Sequence, residues 1–312
     1  MRQPFPPAPF RLPPWAGAAM VGVAAVCFSA KAIMIKLAFA HHQVDPLSLL
    51  FLRMTFALPF FVVIPLLQKA RPDAAKLRPP DYLKLAGLGV LGYYASSLLD
   101  FLGLQYVTAG LERLILFVYP TLVVLLSWLV WRKPIGRREI LALLLTYAGI
   151  AVVFSHDAVR LQPNVLLGAL LIFGSAFTYA VYLIGSGRLI PRFGAINFTA
   201  YAMTVSALSV ILHYLVASRT SVFGYPPQVF WFGLALAIVS TVIPTFLVSA
   251  GIKAIGASRA AIVASIGPVV TIGLGYFFLG EPVTAYEIAG TALVLAGVLM
   301  VSVKKEKEAV KA

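Results

Sequence analysis

The sequence predicts an all-α membrane protein: ten transmembrane helices arranged as two inverted five-helix repeats, with the N- and C-termini both cytoplasmic. Three observations predict it. Of the 312 residues 61% are hydrophobic and only 12% charged, with a mean hydropathy of +0.93, whereas a soluble domain carries about 25% charge. Apolar stretches of bilayer length recur ten times along the chain. The basic residues gather on one side of those stretches. At about 20 residues per crossing, ten crossings take roughly 200 residues, which leaves little for any extramembrane domain.

Taken in order, helices are predicted at about 16–38, 47–67, 82–105, 109–131 and 139–155, then at 165–189, 196–217, 229–254, 257–279 and 285–303. Each is an apolar run bounded by charge or by Gly/Pro clusters. The proline-rich residues 1–14 read as a disordered tail. The first repeat occupies 15–156, the second 163–303, and residues 304–312 form a basic cytoplasmic tail. The first apolar run is too long for a signal-peptide core and reads as a retained span. The single cysteine, Cys27, lies inside that run, excludes an internal disulfide or a multi-cysteine metal site, and reads as a core residue.

The net charge of +14 would suit a nucleic-acid binder, but its distribution argues for membrane topology and against nucleic acid. With the N-terminus inside, the cytoplasmic segments hold Arg2 and Arg11, then Lys69, Arg71, Lys76, Arg78 and Lys84. Further along they hold Arg132, Lys133, Arg137 and Arg138, then Arg188, Arg192, Lys253 and Arg259, and finally Lys304, Lys305, Lys307 and Lys311. The opposite side keeps Arg113, Arg160 and Arg219. Such a bias orients a multi-pass protein of a bacterial-type inner membrane.

One constant shift of the chain against itself aligns Gly103 with Gly251, Ala109 with Ala257, Pro120 with Pro268, Pro134 with Pro282, Glu139 with Glu287 and Ala148-Gly149 with Ala296-Gly297. Because five is odd, the two copies face opposite ways in the membrane, the arrangement through which many secondary carriers alternate access. Pro120 and Pro268 fall mid-helix in corresponding spans. Each removes a backbone donor there, and the pair reads as two bending points beside a cavity.

These residues resemble the EamA-type branch of the drug/metabolite transporter superfamily over about 17–303. The most specific stretch is ASRAAIVASIGPVVTIGLGYFFLGEPVTAYEIAGTALVLAGVLMV, Ala257 to Val301. The segment DPLSLLFLRMTFALP is also similar, with Arg53 matching the family's arginine. The first copy carries Arg132-Lys133-Pro134 where the second has Gly280-Glu281-Pro282, so the acid is read as a loop and cap carboxylate. The resemblance implies a multispan carrier of small metabolites, often an exporter of amino acids or related compounds.

Ionisable side chains inside spans are costly and default to function or to mutual pairing. Lys31, Lys36, Arg53, Asp100, Glu112 and Arg113 all belong to the first half, and their balance favours an anionic or zwitterionic small-molecule substrate. Lys36, Glu112 and Arg113 read as interfacial or paired groups. The residues expected at the substrate are Lys31 and Arg53, attracting a carboxylate, and Asp100, pairing with a cation or contacting an amine. Tyr94, Tyr119, Tyr179, Tyr182 and Tyr201 are expected to shape the cavity. Thr245 stands in an i, i+4 polar stripe with Thr241, Ser249 and Lys253, and Tyr93, Ser97 and Asp100 share a face. Small residues Ala257, Ala261 and Ser265, with Ala260 and Ala264, form close-packing rows, and a homodimer through them is an alternative use.

An enzyme is disfavoured. His41, His42 and His156 read as loop residues and His213 stands alone, so no metal set is evident. Asp100 has no intramembrane aspartate partner for a protease dyad, and no phosphate-cradling Gly-rich loop appears. No cofactor is implied. A passive channel is the nearer competitor, separated from a carrier by counterflow.

Overall fold

A computed structural model describes residues 13–67, 78–132, 134–160, 164–218 and 220–309. The first twelve residues of the expected tail lie outside them, as do Lys69, Arg71, Lys76, Lys133, Arg219 and Lys311. The described residues form helices joined by short connections. We number them α1 (Pro14–His42), α2 (Pro46–Leu67), α3 (Pro79–Gly103), α4 (Ala109–Trp131) and α5 (Arg137–Arg160). There follow α6 (Val165–Phe193), α7 (Ala195–Ala217), α8 (Pro227–Ile255), α9 (Arg259–Leu279, preceded by a first turn from Ala257) and α10 (Ala285–Ala309). Among the described residues nine of these are long and apolar enough to cross a membrane, and α10 contributes the shorter apolar stretch Ala285–Met300.

Local chemistry sets the ends. Extended Pro13 leads into α1 with Pro14 at its first position, where a missing N–H costs nothing. The helix runs on to His42 and stops at Gln43, which is left-handed at φ 48 and returns its N–H to Phe39. His41 and His42, expected in a loop, therefore close α1. His156 likewise belongs to α5 and stacks on Tyr286 of α10 at 4.6 Å. Cys27 is half-buried instead of sealed in the core.

Several spans are not regular. α4 is interrupted at 117–118 and restarts at Tyr119 with Pro120 in its first turn, and α9 is interrupted at 265–266 and restarts at Gly267 with Pro268 in its first turn. Within α3 the segment Val90–Ala95 is π-helical, as is Ile238–Val242 within α8 and Gly275–Leu279 at the end of α9. Such π turns leave hydrogen bonds misaligned and recur at functional sites. Pro59 and Pro65 stand inside α2.

The helices pack in a defined set of pairs: α1 against α8 and α9, α3 and α4 against α6, α2 against α7, and α5 against α10. Glycines make the closest crossings possible. A Cβ on Gly103 of α3 would lie 3.0 Å from the Gly168 carbonyl of α6, and one on Gly251 of α8 would lie 2.9 Å from the Gly17 carbonyl of α1. At the α5–α10 crossing, Cβ atoms on Gly149 and Gly297 would each meet a carbonyl oxygen, of Gly290 and Ala142, at 2.6 Å. Ala260 and Ser265 of the small-residue rows are buried inside the chain. Large apolar side chains such as Leu66, Leu212 and Phe277 remain more than 60% exposed, the surface expected of a protein solvated by lipid.

Candidate functional site

The central feature is a buried ion cluster. Lys31 of α1 places Nζ 2.5 Å from Asp100 Oδ2 of α3 and 3.1 Å from Glu112 Oε1 of α4. The carboxylates are almost wholly enclosed, with side-chain exposures of 4% and 1%. Glu112 sits in the first turn of α4, capped by the Thr108 hydroxyl that accepts from Leu111 N–H, and the helix dipole favours a carboxylate there. Read from sequence as an interfacial residue, Glu112 is thus a full member of the cluster. Next to it Arg113 lies 5.2 Å over the Phe117 ring and flat against Gly267, at the interruption of α9. Asp100 Oδ1, Glu112 Oε2 and Arg113 Nε are buried without a hydrogen bond, and Glu112 Oε1 has only the ion pair to Lys31. Each such group costs about 1–3 kcal/mol, more when charged, so the cluster has unmet capacity for a polar guest.

Arg53 stands on the adjacent wall. Its Nε donates to Thr241 Oγ1 at 2.8 Å, and its guanidinium lies 5.5 Å over Phe101. The Thr241 hydroxyl in turn donates to Leu236 O, five residues back, which follows from the π turn at that point. Asp100 therefore takes Lys31 as its direct partner, and Arg53 is clamped to α8. Thr245 and Ser249 return their hydroxyls to carbonyls of their own helix, so the expected stripe satisfies itself locally.

Aromatic rings continue from the cluster. Tyr119 meets Tyr179 edge-on at 5.4 Å, Tyr179 stacks on Tyr182 at 5.7 Å, and the Tyr182 hydroxyl donates to Tyr93 Oη at 3.1 Å. Tyr119, Tyr179 and Tyr182 are thus brought together, with Tyr93 as a member that the sequence placed on the Asp100 face without naming it to the site. Tyr94 lies apart, its hydroxyl 3.0 Å from His213 Nδ1. Tyr201 is 38% exposed and set against Phe193.

Both ends of the helix bundle carry polar fastenings. At one end, the Glu281 carboxylate accepts from Ala109 N–H at 3.1 Å through both oxygens and pairs with Lys36 at 3.2 Å. Gly280, left-handed at φ 65, provides the turn that delivers it. The acid is a cap, as its loop position suggested, but it caps α4. Asp45 at this end accepts from Tyr225 and Thr220 hydroxyls at 2.9 and 3.0 Å. Burial pushes the Asp45 carboxyl up, but hydrogen bonds from Ser48, Tyr225 and Thr220 outweigh it and hold the group below the usual carboxylate range. At the other end Asp81 of α3 pairs with Arg192 of α6 at 2.5 Å. A cleft of about 550 Å³ opens there, lined by that pair, Lys84, Gly87, Gly185 and Arg188. It lies away from the Lys31 cluster.

The profile of the EamA-like transporter family matches this chain twice, over residues 15–155 and 166–303. The chain belongs to the EamA-like transporter family. It is similar to the uncharacterized transporter YcbK of Bacillus subtilis (strain 168), with 34% identity over 280 residues that cover 88% of this chain and 89% of the relative. An uncharacterized transporter of Archaeoglobus fulgidus is 28% identical over 82% of this chain and 86% of its own. A solved crystal structure at 18% identity superposes with a TM-score of 0.63 over 94% of this chain and 98% of that one, which shows a shared fold. The EamA-family chain is a multi-pass membrane transporter and not an enzyme. Among the described residues no group of three or more His, Cys, Asp or Glu could hold a metal ion.

Proposed function

We propose that this EamA-family protein is a secondary carrier of small carboxylate-bearing metabolites, amino acids or related amphipathic compounds, working as an exporter in a bacterial-type inner membrane. It alternates access between two inverted five-helix halves with both termini cytoplasmic, the Glu281 end outward and the Arg192 end inward. The substrate carboxylate exchanges onto Lys31 and Arg53, its amine approaches Asp100 and Glu112, and Tyr119, Tyr179 and Tyr182 flank the path. Pro120 and Pro268 mark the points where the halves bend.

The observation that carries this reading is the Lys31–Asp100–Glu112 cluster, buried within apolar spans and left with unmet hydrogen-bonding groups. Ionisable groups at such depth are costly and mark substrate or ion paths. The inverted repeat is supported by the helix pairs, because exchanging the halves turns α1–α8 into α6–α3 and α1–α9 into α6–α4, and returns α2–α7 and α5–α10 to themselves. The paired interruptions of α4 and α9 and the paired π turns of α3 and α8 support it as well.

The test is efflux from proteoliposomes of purified protein against a panel of amino acids, amines and organic acids, with and without a pH gradient. Saturable flux with counterflow of a carboxylate-bearing solute is the expected result. Linear, non-saturating conductance without counterflow identifies a passive channel instead.

A further inference from the structure

The cleft between α3 and α6 at the Arg192 end has an unbalanced charge. Its one carboxylate, Asp81, is already engaged: Oδ1 takes Arg192 at 2.5 Å and Oδ2 accepts from the Arg78 N–H at 3.1 Å. Lys84 and Arg188 also line the cleft, and among the described residues neither pairs with a carboxylate. Both side chains are exposed. Arg188 instead lies 5.6 Å over the Trp131 ring, which holds its guanidinium plane at the mouth. Gly87 leaves the wall bare, since nothing stands within 4 Å of where its Cβ would be. Leu88 and Leu189 also line the cleft and pack in the same apolar cluster as Tyr182.

An ammonium and a guanidinium that line one cleft with no carboxylate of their own suit a phosphate, the arginine by a planar fork and the lysine as a point charge. The rim decides what carries that phosphate. Trp131, whose ring meets Arg188, is 36% exposed and follows Leu129 and Val130, 68% and 60% exposed, an apolar and aromatic border of the kind found at the level of lipid headgroups. A free anion has no use for such a border, whereas acyl chains do. Basic pockets between membrane helices are a known way to hold anionic headgroups.

We propose that this cleft binds the phosphate headgroup of an anionic phospholipid, with Lys84 and Arg188 as its direct ligands and Trp131 orienting the arginine. The proposal needs only that the chain spans a membrane.

The full chain, purified in an uncharged detergent, is titrated with phosphatidylglycerol, with phosphatidylcholine and with sodium phosphate. Bound lipid is followed by native mass spectrometry and stability by the unfolding midpoint. Phosphatidylglycerol should be retained and raise the midpoint, phosphatidylcholine should do neither, and Lys84→Gln/Arg188→Gln should weaken retention by roughly tenfold or more. The same loss of two charges at exposed Arg138 of α5 and Lys253 of α8, Arg138→Gln/Lys253→Gln, should leave it unaltered. Equal retention of both lipids, equal retention by the double variant, or a midpoint raised by phosphate alone with no lipid retained would each overturn the proposal.

Discussion

In the first half, α1, α3 and α4 meet around Lys31, Asp100 and Glu112. The second half, matched by the same family model, has equivalent positions. The glycine crossings set the register, Gly103 on Gly168 against Gly251 on Gly17, and they put Tyr182, Val248 and Ala260 where the first half has its three charges. α6 packs on α3 and α4 as α1 packs on α8 and α9, and none of those three positions carries a charge. Buried ion pairs seldom outperform well-packed apolar side chains, and their restriction to one half is what a binding site on a duplicated scaffold looks like.

The largest expected effect breaks this comparison on the charged side. Lys31→Ala strands two enclosed carboxylates and should cost about 3–5 kcal/mol of stability in chemical unfolding from mixed micelles. Loss of transport in that variant alone would thus say nothing about substrate. Next come the crossings that the halves share. Gly149→Ala and Gly297→Ala each push a Cβ against a carbonyl oxygen now 2.6 Å from its ideal position, and each should lose about 1–3 kcal/mol. A large loss at one and none at the other would show that the two crossings are not equivalent. A smaller effect separates the loops. Glu281→Ala removes the cap on Ala109 and the partner of Lys36, and should cost about 1 kcal/mol, with faster hydrogen exchange at the start of α4. The smallest is a gain. Arg132 stands at φ 51 where the second half has Gly280 at φ 65, so Arg132→Gly should relieve up to about 1 kcal/mol of left-handed strain.

Much of the frame was legible because hydropathy and glycine/proline punctuation report on exactly what a bilayer demands. The apolar runs found the helices, Pro120 and Pro268 found the two interruptions, and Glu281 was read as a cap. What the sequence hid depends on packing across helices. Glu112 stands four residues past Thr108, near a helix end, and position alone suggests an interface; only the approach of α1 buries it. The π turns at Val90–Ala95 and Ile238–Val242 have no hydropathy signature, so Thr241 was seen as one of a stripe and not as the partner of Arg53. The i, i+4 hydroxyls of Thr245 and Ser249 looked like a polar wall, yet that spacing is also what lets them bond their own helix. Tyr93 was on the right face, and only its contact with Tyr182 sets it apart from Tyr94.

The most direct test gives the charged half the neutral character of its counterpart. The variant Lys31→Met/Asp100→Asn/Glu112→Gln/Arg113→Met removes both carboxylates together with the two cations beside them, leaves Arg53 on Thr241, and should fold with near-native stability. Counterflow of a carboxylate-bearing substrate, measured in proteoliposomes, should be saturable for the native chain and absent for this variant. Native-rate counterflow by the folded, neutral variant would contradict the assignment of the cluster to substrate.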